Sequence, residues 1–293
     1  MSTEPFIIYK RPAKKVNLIF GLQIKMNINQ VCHKLQTHLQ LRLKNNVSPV
    51  IIGISGGQGS GKSTLSRALS DKFQTSGIES LILSLDDFYH TKNKRIEIAK
   101  KIHPLAKRRG VPGTHDIELL KKTLNILKKR SHTLPLKSPI FEKGIDDRTH
   151  EKSWKVIKNF PKVILLEGWC IGAMSDDLCP KAETEWELSN DPDGVWKAWT
   201  KIQAKKYEGI WEIIDFLIFI KQESFAQVIE DRWRQEQGIL KLNQSDVMKT
   251  KKQVQEFCYP FESWTYQIWN FNKRHANVIL ERDLKYNYIW NEN

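Results

Sequence analysis

Val50–Thr64 reads VIIGISGGQGSGKST. Its first half, Val50 to Ile54, is continuously apolar and β-branched, as expected of a strand buried on both faces of a parallel sheet. Its second half satisfies G-x-x-x-x-G-K-[ST] through Gly56, Gly61, Lys62 and Ser63. The chemistry needs each residue type. Glycines admit positive φ and let successive N–H groups face a phosphate. The helix expected to follow adds the positive end of its dipole. Lys62 is placed to bridge β- and γ-phosphates, and Ser63 to ligate Mg²⁺. The nucleotide-binding candidates are therefore Gly56, Gly57, Gln58, Gly59, Ser60, Gly61, Lys62, Ser63 and Thr64.

Short apolar runs recur at Leu81–Leu85, Val163–Leu166 and Phe216–Ile220. Helical spacing lies between and after them: Leu65, Leu69 and Phe73; Ile117, Leu120, Leu124 and Leu127; Val228, Ile229 and Trp233. Apolar strands alternating with helices predict an α/β domain with a parallel sheet. Upstream, Ile28, Val31, Leu35 and Leu39 predict an amphipathic helix, preceded by an aperiodic arm over 1–26. The Trp-rich stretch 178–209 reads as helical near its end. The tail, Asn277–Leu280 and Tyr286–Trp290, reads as short strands forming a hairpin.

Parallel sheets bind ligands beyond the carboxyl ends of their strands, which directs attention to the residues after each run. Asp86, Asp87, Phe88 and Tyr89 follow the second run, and Glu167 and Gly168 the third. A carboxylate there can hold Mg²⁺ or take a proton from an attacking hydroxyl. The plainer readings are a capped turn for the aspartates and a buried, lysine-paired acid for Glu167. KRRGVPGTHD (Lys107–Asp116) and SPIFEKGIDDR (Ser138–Arg148) are dense in anion-reading groups, although Asp116 could simply cap the next helix. EDRWRQEQ puts Arg232 and Arg234 on a helix after the last run, where a mobile arginine can neutralise a transferring phosphoryl.

Composition narrows the classes. Of 293 residues, 40% are hydrophobic and 27% charged, which excludes a chain disordered throughout. Forty-seven Lys and Arg against 33 Asp and Glu leave +14, a protein suited to meeting anions. The four cysteines make no Cys-x-x-Cys pair, so reduced thiols are expected. No apolar run is long enough to span a membrane, and the basic residues of the first fifteen follow the apolar ones, so the expectation is a cytoplasmic protein with no membrane partner. Asn93-Lys94 lacks the Asp of a guanine-reading Asn-Lys-x-Asp element.

Taken together, the phosphate loop, LDDFY (Leu85–Tyr89), RGVPGTHD (Arg109–Asp116), the Lys143–Arg148 loop and LLEGW (Leu165–Trp169) resemble D-glycerate 3-kinase of the plant type. They resemble equally the related fungal ATP-binding kinase-like proteins, within the phosphoribulokinase, uridine kinase and bacterial pantothenate kinase superfamily. Ser245–Trp269 is similar to the family's C-terminal helix pair. The likeness runs from about Val50 to Glu281. It implies a P-loop NTPase fold, α/β with a mostly parallel sheet flanked by helices, a helical lid and C-terminal additions. It also implies an N-terminal arm and helix over 1–48 and a kinase domain over 49–293.

The same resemblance implies roles. Asp86 matches the general base, Glu167 the acid that organises Mg²⁺ with Ser63 and Asp86, and Arg234 the lid arginine beside Lys62. Tyr89, Arg109, His115, Asp116 and Arg148 fall in the elements around the acceptor. The implied activity is ATP- and Mg²⁺-dependent phosphorylation of a small metabolite, with D-glycerate leading and pantothenate or a nucleoside such as uridine behind. A carboxylate on the acceptor suits Arg148 or Arg109 as a bidentate partner. Three departures stand out: the 143–148 loop is short, Glu142 replaces the usual Asp or Asn, and Gln235-Glu236-Gln237 follows Arg234. The rivals are a nucleic-acid-associated ATPase, suggested by the charge and ten tryptophans but lacking a recognisable binding motif, and a non-catalytic nucleotide binder, at odds with intact Lys62, Ser63 and Asp86.

Overall fold

The computed structural model describes residues 24–240 and 248–292. The expected arm therefore lies outside the described residues up to residue 23, as does the start of the Ser245–Trp269 segment. The central sheet has seven strands: β1 (Lys25–Met26), β2 (Val50–Gly56), β3 (Ser80–Ser84), β4 (Val163–Gly168), β5 (Phe216–Lys221), β6 (Val278–Arg282) and β7 (Tyr288–Glu292). Their order is β1-β7-β6-β5-β2-β4-β3. From β6 to β3 every pairing is parallel, and β7 and β1 close the far edge antiparallel.

Both faces of β2 are buried, which is why its sequence runs apolar without alternation. Ile52 and Ile54 join Leu165, Phe216 and Ile218 on one face. That face is covered by α1 (Ile28–Asn45), through Val31, Leu35 and Leu39, and by α2 (Lys62–Thr75), through Leu65, Leu69 and Phe73. Ile51, Ile164, Leu166, Leu217 and Phe219 point the other way. They meet α4 (Ile117–Lys129), α6 (Val195–Trp211) and α9 (Glu262–His275). The remaining helices are α3 (Lys92–Lys101), α5 (Glu185–Asn190), α7 (Phe225–Leu240) and α8 (Lys251–Cys258). Four free cysteines are present, three of them buried.

Two boundaries differ from the sequence expectation. The run Leu81–Leu85 ends as a strand at Ser84, because Leu85 already belongs to a 3₁₀ turn through Phe88. The turn swings Asp86 off the strand axis. At the other end, Lys25 and Met26 of the expected arm pair with Ile289 and Tyr288 and extend the sheet edge. The expected tail hairpin is present as β6 and β7.

A buried charge network ties the Trp-rich insertion to α9. Lys197, fully buried, donates to Glu183 Oε2 (2.7 Å), Glu187 Oε2 (2.9 Å) and Ser263 Oγ (2.8 Å). Glu187 also completes the capping box of α5 with Thr184. The network matters for the site because α6 supports the 107–116 loop: the Tyr207 hydroxyl accepts from Gly113 N at 2.9 Å and meets His115 Nδ1 at 2.9 Å. Breaking a buried pair from one side leaves an uncompensated charge. Lys197→Met should therefore destabilise the fold by about 3–5 kcal/mol in urea unfolding, and adding Glu187→Gln should recover part of the loss.

Candidate active site

The chain leaves β2 at Gly56 and enters α2 at Lys62 through a loop that only glycine permits at two points. Gly59 and Gly61 have φ of +71° and +93°. A Cβ at Gly59 would lie 2.6 Å from the backbone carbonyl carbon of Asp231, and one at Gly57 would lie 2.4 Å from Gln222 Oε1. The loop is thus pressed against the C-terminal half of the chain. Three buried groups fix it there. Arg282 donates to Gly59 O at 3.1 Å and pairs with Asp231. Gln222 donates to Asp231 Oδ2 at 2.8 Å and to Gln58 O at 3.1 Å.

Lys62 donates to Gly57 O at 2.8 Å, and Ser63 Oγ donates to Glu167 Oε1 at 3.2 Å. Burial pulls the Lys62 ammonium down from its ordinary range, while Glu167 and Asp86 push back up. Both acids therefore act on the same lysine. Lys62, Ser63, Glu167 and Asp86 all line one cavity of about 760 Å³, together with Tyr89, Arg109, Lys143, Arg232 and Arg234.

The Asp86 side is built by the turn after β3 and by a short hairpin, Phe141–Glu142 against Asp147–Arg148. Asp86 Oδ2 accepts from Lys143 Nζ at 2.7 Å, and Oδ1 from the Tyr89 hydroxyl at 3.1 Å. Burial alone would raise its pKa. The charge and hydrogen bond of Lys143, with Lys62 behind, outweigh that and hold the carboxyl well below the usual carboxylate range. Asp87 behaves oppositely. It turns to the hairpin, accepts from Phe141 N at 3.2 Å, and is pushed up to about 6, chiefly by burial, with Asp86 and Glu167 adding to the rise. The two adjacent aspartates are thus separated by environment: one ionised in the cavity, one bracing its wall.

The residues expected around the acceptor divide. Tyr89 and Arg109 line the cavity, Arg109 paired with Asp146 and lying over the Phe141 ring. His115, Asp116 and Arg148 lie behind the lining. Buried His115 stacks on the Tyr89 ring at 4.3 Å, and burial pulls it down to about 3, so it is neutral. Asp116 caps α4 by accepting from Leu119 N at 3.1 Å. Arg148 bonds Asp116 (3.2 Å) and the carbonyls of Phe88 and Tyr89 (3.3 and 2.7 Å). Its guanidinium is committed to holding the turn that carries Asp86.

Of the two candidate arginines on α7, Arg234 turns to the Tyr286 ring, while Arg232 pairs with Glu236 over Phe257 and its charge is felt at both Lys62 and Lys143. Lys143, Gln222, Asp231 and Arg282 received no role from the sequence. Gln222 and Arg282 follow or end apolar runs, so the strand-end rule applied to Asp86 and Glu167 would have found them. For Lys143 no such signal exists.

No family model matches the chain. It is 30% identical over 273 residues to the uncharacterized kinase mug58 of Schizosaccharomyces pombe, covering 86% of this chain and 95% of that one. It is 30% identical over 223 residues to the chloroplastic D-glycerate 3-kinase of Arabidopsis thaliana, covering 73% of this chain but 46% of the plant protein. The solved D-glycerate 3-kinase of Cryptococcus neoformans superposes with a TM-score of 0.71 at 21% identity over 91% of this chain and 99% of that one, a likeness of fold. Fold and relatives define a P-loop kinase acting on a small molecule. Within that class, the chain belongs to the superfamily of D-glycerate 3-kinase, the uncharacterized fungal kinases and uridine kinase. Among the described residues no helix is long and apolar enough to cross a membrane.

The cradle gives a direct test. In Gly59→Ala the new Cβ meets backbone, which cannot turn aside, and the residue must hold a positive φ that costs about 1–3 kcal/mol. ATP affinity, read by calorimetry, should fall about tenfold or more.

Proposed function

We propose that the protein transfers the γ-phosphoryl group of ATP, with Mg²⁺, to a hydroxyl of D-glycerate. One observation carries this reading: a single cavity is lined by Lys62, Ser63 and Glu167 together with Asp86, Arg109 and Lys143. A triphosphate tail and a carboxylate-bearing acceptor can therefore meet in one place.

In this reading the loop's N–H groups and Lys62 hold the β- and γ-phosphates. Ser63 and Glu167 would hold the metal; a hydroxyl and a carboxylate at a helix N-terminus form the hard oxygen set that Mg²⁺ prefers. When bound, Mg²⁺ neutralises phosphate charge. Asp86 accepts the proton of the acceptor hydroxyl while that oxygen forms its bond to the γ-phosphorus and the bond to the β-phosphate oxygen breaks, releasing ADP. Its carboxylate is ionised throughout the neutral range, so its protonation state does not limit the reaction there. Arg109, a planar fork facing the cavity, suits the acceptor's carboxylate. Arg148, bound to backbone carbonyls, suits that role less.

A second reading, a nucleoside kinase, draws on the uridine kinase of a Geobacillus strain, 32% identical over 126 residues or 41% of this chain. The cationic wall beside Asp86 favours an anionic acceptor over a neutral nucleoside. An ATP-consumption assay over D-glycerate, pantothenate and uridine should give the highest kcat/KM with D-glycerate. Asp86→Asn should keep ATP affinity and lower kcat by about 10²–10⁴-fold. Unchanged turnover in that variant would contradict Asp86 as the base.

A further inference from the structure

Asp86 meets its proposed task with one donor already on each oxygen, which leaves each a single further lone pair for the attacking hydroxyl. Tyr89 holds Oδ1 and Lys143 holds Oδ2. The Lys143 ammonium, 2.7 Å from Oδ2, fills one approach to that oxygen. The attacking hydroxyl also needs one of these two oxygens.

The two partners differ in freedom. Tyr89 is buried, its ring fixed between His115 and Phe141. Lys143 is at the exposed tip of the hairpin, with a side chain 55% exposed against 29% for Asp86. The hairpin's base is rigidly held. Phe141 N donates to Asp87, Asp146 is gripped by Arg95 and Arg109, and Asp147 accepts from Lys92 N at 2.8 Å. Only the stretch Glu142–Ile145 is solvent-facing throughout. Lys143 stands at the seam between the main cavity and a shallower groove of about 580 Å³ bounded by Arg108, Met248 and Phe257. Its four-carbon stem thus has room to redirect the ammonium without moving the backbone.

What would draw it away is a competing anion other than the nucleotide's phosphates, which the loop and Lys62 already hold in the proposed reaction. The charged groups acting on it are Asp86 and Glu167, which attract, and Arg232, which repels. We propose that Lys143 is a charge-sensing positioning residue: it occupies Asp86 until an acceptor bearing its own carboxylate offers the ammonium a second partner, and its transfer to that carboxylate frees the base. The consequence is twofold. Acceptors are selected by charge at the catalytic step, and water, which carries no anion, does not release Asp86, so ATP is protected from hydrolysis. This inference rests on Asp86 being the base.

The test uses the full-length protein and its Lys143→Gln and Lys143→Arg variants. Acceptor-free ATP hydrolysis should rise about tenfold or more in Lys143→Gln and stay low in Lys143→Arg. The ratio of kcat/KM for D-glycerate to that for its uncharged amide should fall about tenfold or more in Lys143→Gln and be retained in Lys143→Arg. Hydrolysis that does not rise would overturn the proposal. So would an equal loss on both acceptors, which would put the ammonium on the phosphoryl group instead. The hydrolysis arm needs no acceptor and is decided whether or not D-glycerate is the substrate. Adding Asp86→Asn to Lys143→Gln should abolish the gained hydrolysis; if the gain survives, Asp86 is not the base, and it is that assignment which fails, taking the role of Lys143 with it.

Discussion

Parallel pairing of β2, β4 and β3 is the constraint from which the site follows. Adjacent strands lie about 4.8 Å apart, and all three run the same way, so their carboxyl ends form one row. The phosphate loop leaves the first, Glu167 is the penultimate residue of the second, and Asp86 follows the third. Glu167 stands in the middle, bonded to Ser63 on one side and acting with Asp86 on Lys62. No side chain in that row has to reach far. A strand order that separated β3 from β4 would put the loop and Asp86 on different parts of the molecule.

The row is completed by cations, and each is parked on a local partner. Lys62 rests on Gly57 O, Arg109 on Asp146, Lys143 on Asp86, Arg232 on Glu236 and Arg282 on Asp231. Concentrating positive charge around one cavity is costly without such pairing. The pairs also define which charges a polyanion can recruit. Arg282 and Asp231, both buried and tied to the loop, serve the scaffold. Lys62, Lys143 and Arg109 line the cavity on partners of their own, and these are the three whose partners the proposed chemistry would exchange.

Legibility in the sequence tracked distance along the chain. The loop, the apolar strands and the acids at their ends are local patterns, read from a few consecutive residues, and the structure sets the loop, Asp86 and Glu167 along the carboxyl ends of neighbouring strands. Other features depend on long-range packing. Lys143 meets Asp86 across 57 positions, Gln222 meets Gln58 across 164, and Arg282 reaches Gly59 across 223. No periodicity announces such pairs. His115, Asp116 and Arg148 show the converse. Their polar, turn-rich motif pointed to a ligand, whereas in the fold their contacts go to Tyr207, to the cap of α4 and to the carbonyls of Phe88 and Tyr89. They shape the wall from behind, which a motif alone does not distinguish from lining it.

The central claim is that the loop around Lys62 and the carboxylate of Asp86 serve one phosphorus atom. A crystal structure with a non-hydrolysable ATP analogue, Mg²⁺ and D-glycerate bound tests it most directly. The account predicts an acceptor hydroxyl between the γ-phosphorus and Asp86, in hydrogen-bond reach of the carboxylate and about 3–3.5 Å from phosphorus. An acceptor seated away from Asp86, or a γ-phosphate directed out of the cavity that Lys62 lines, would contradict it.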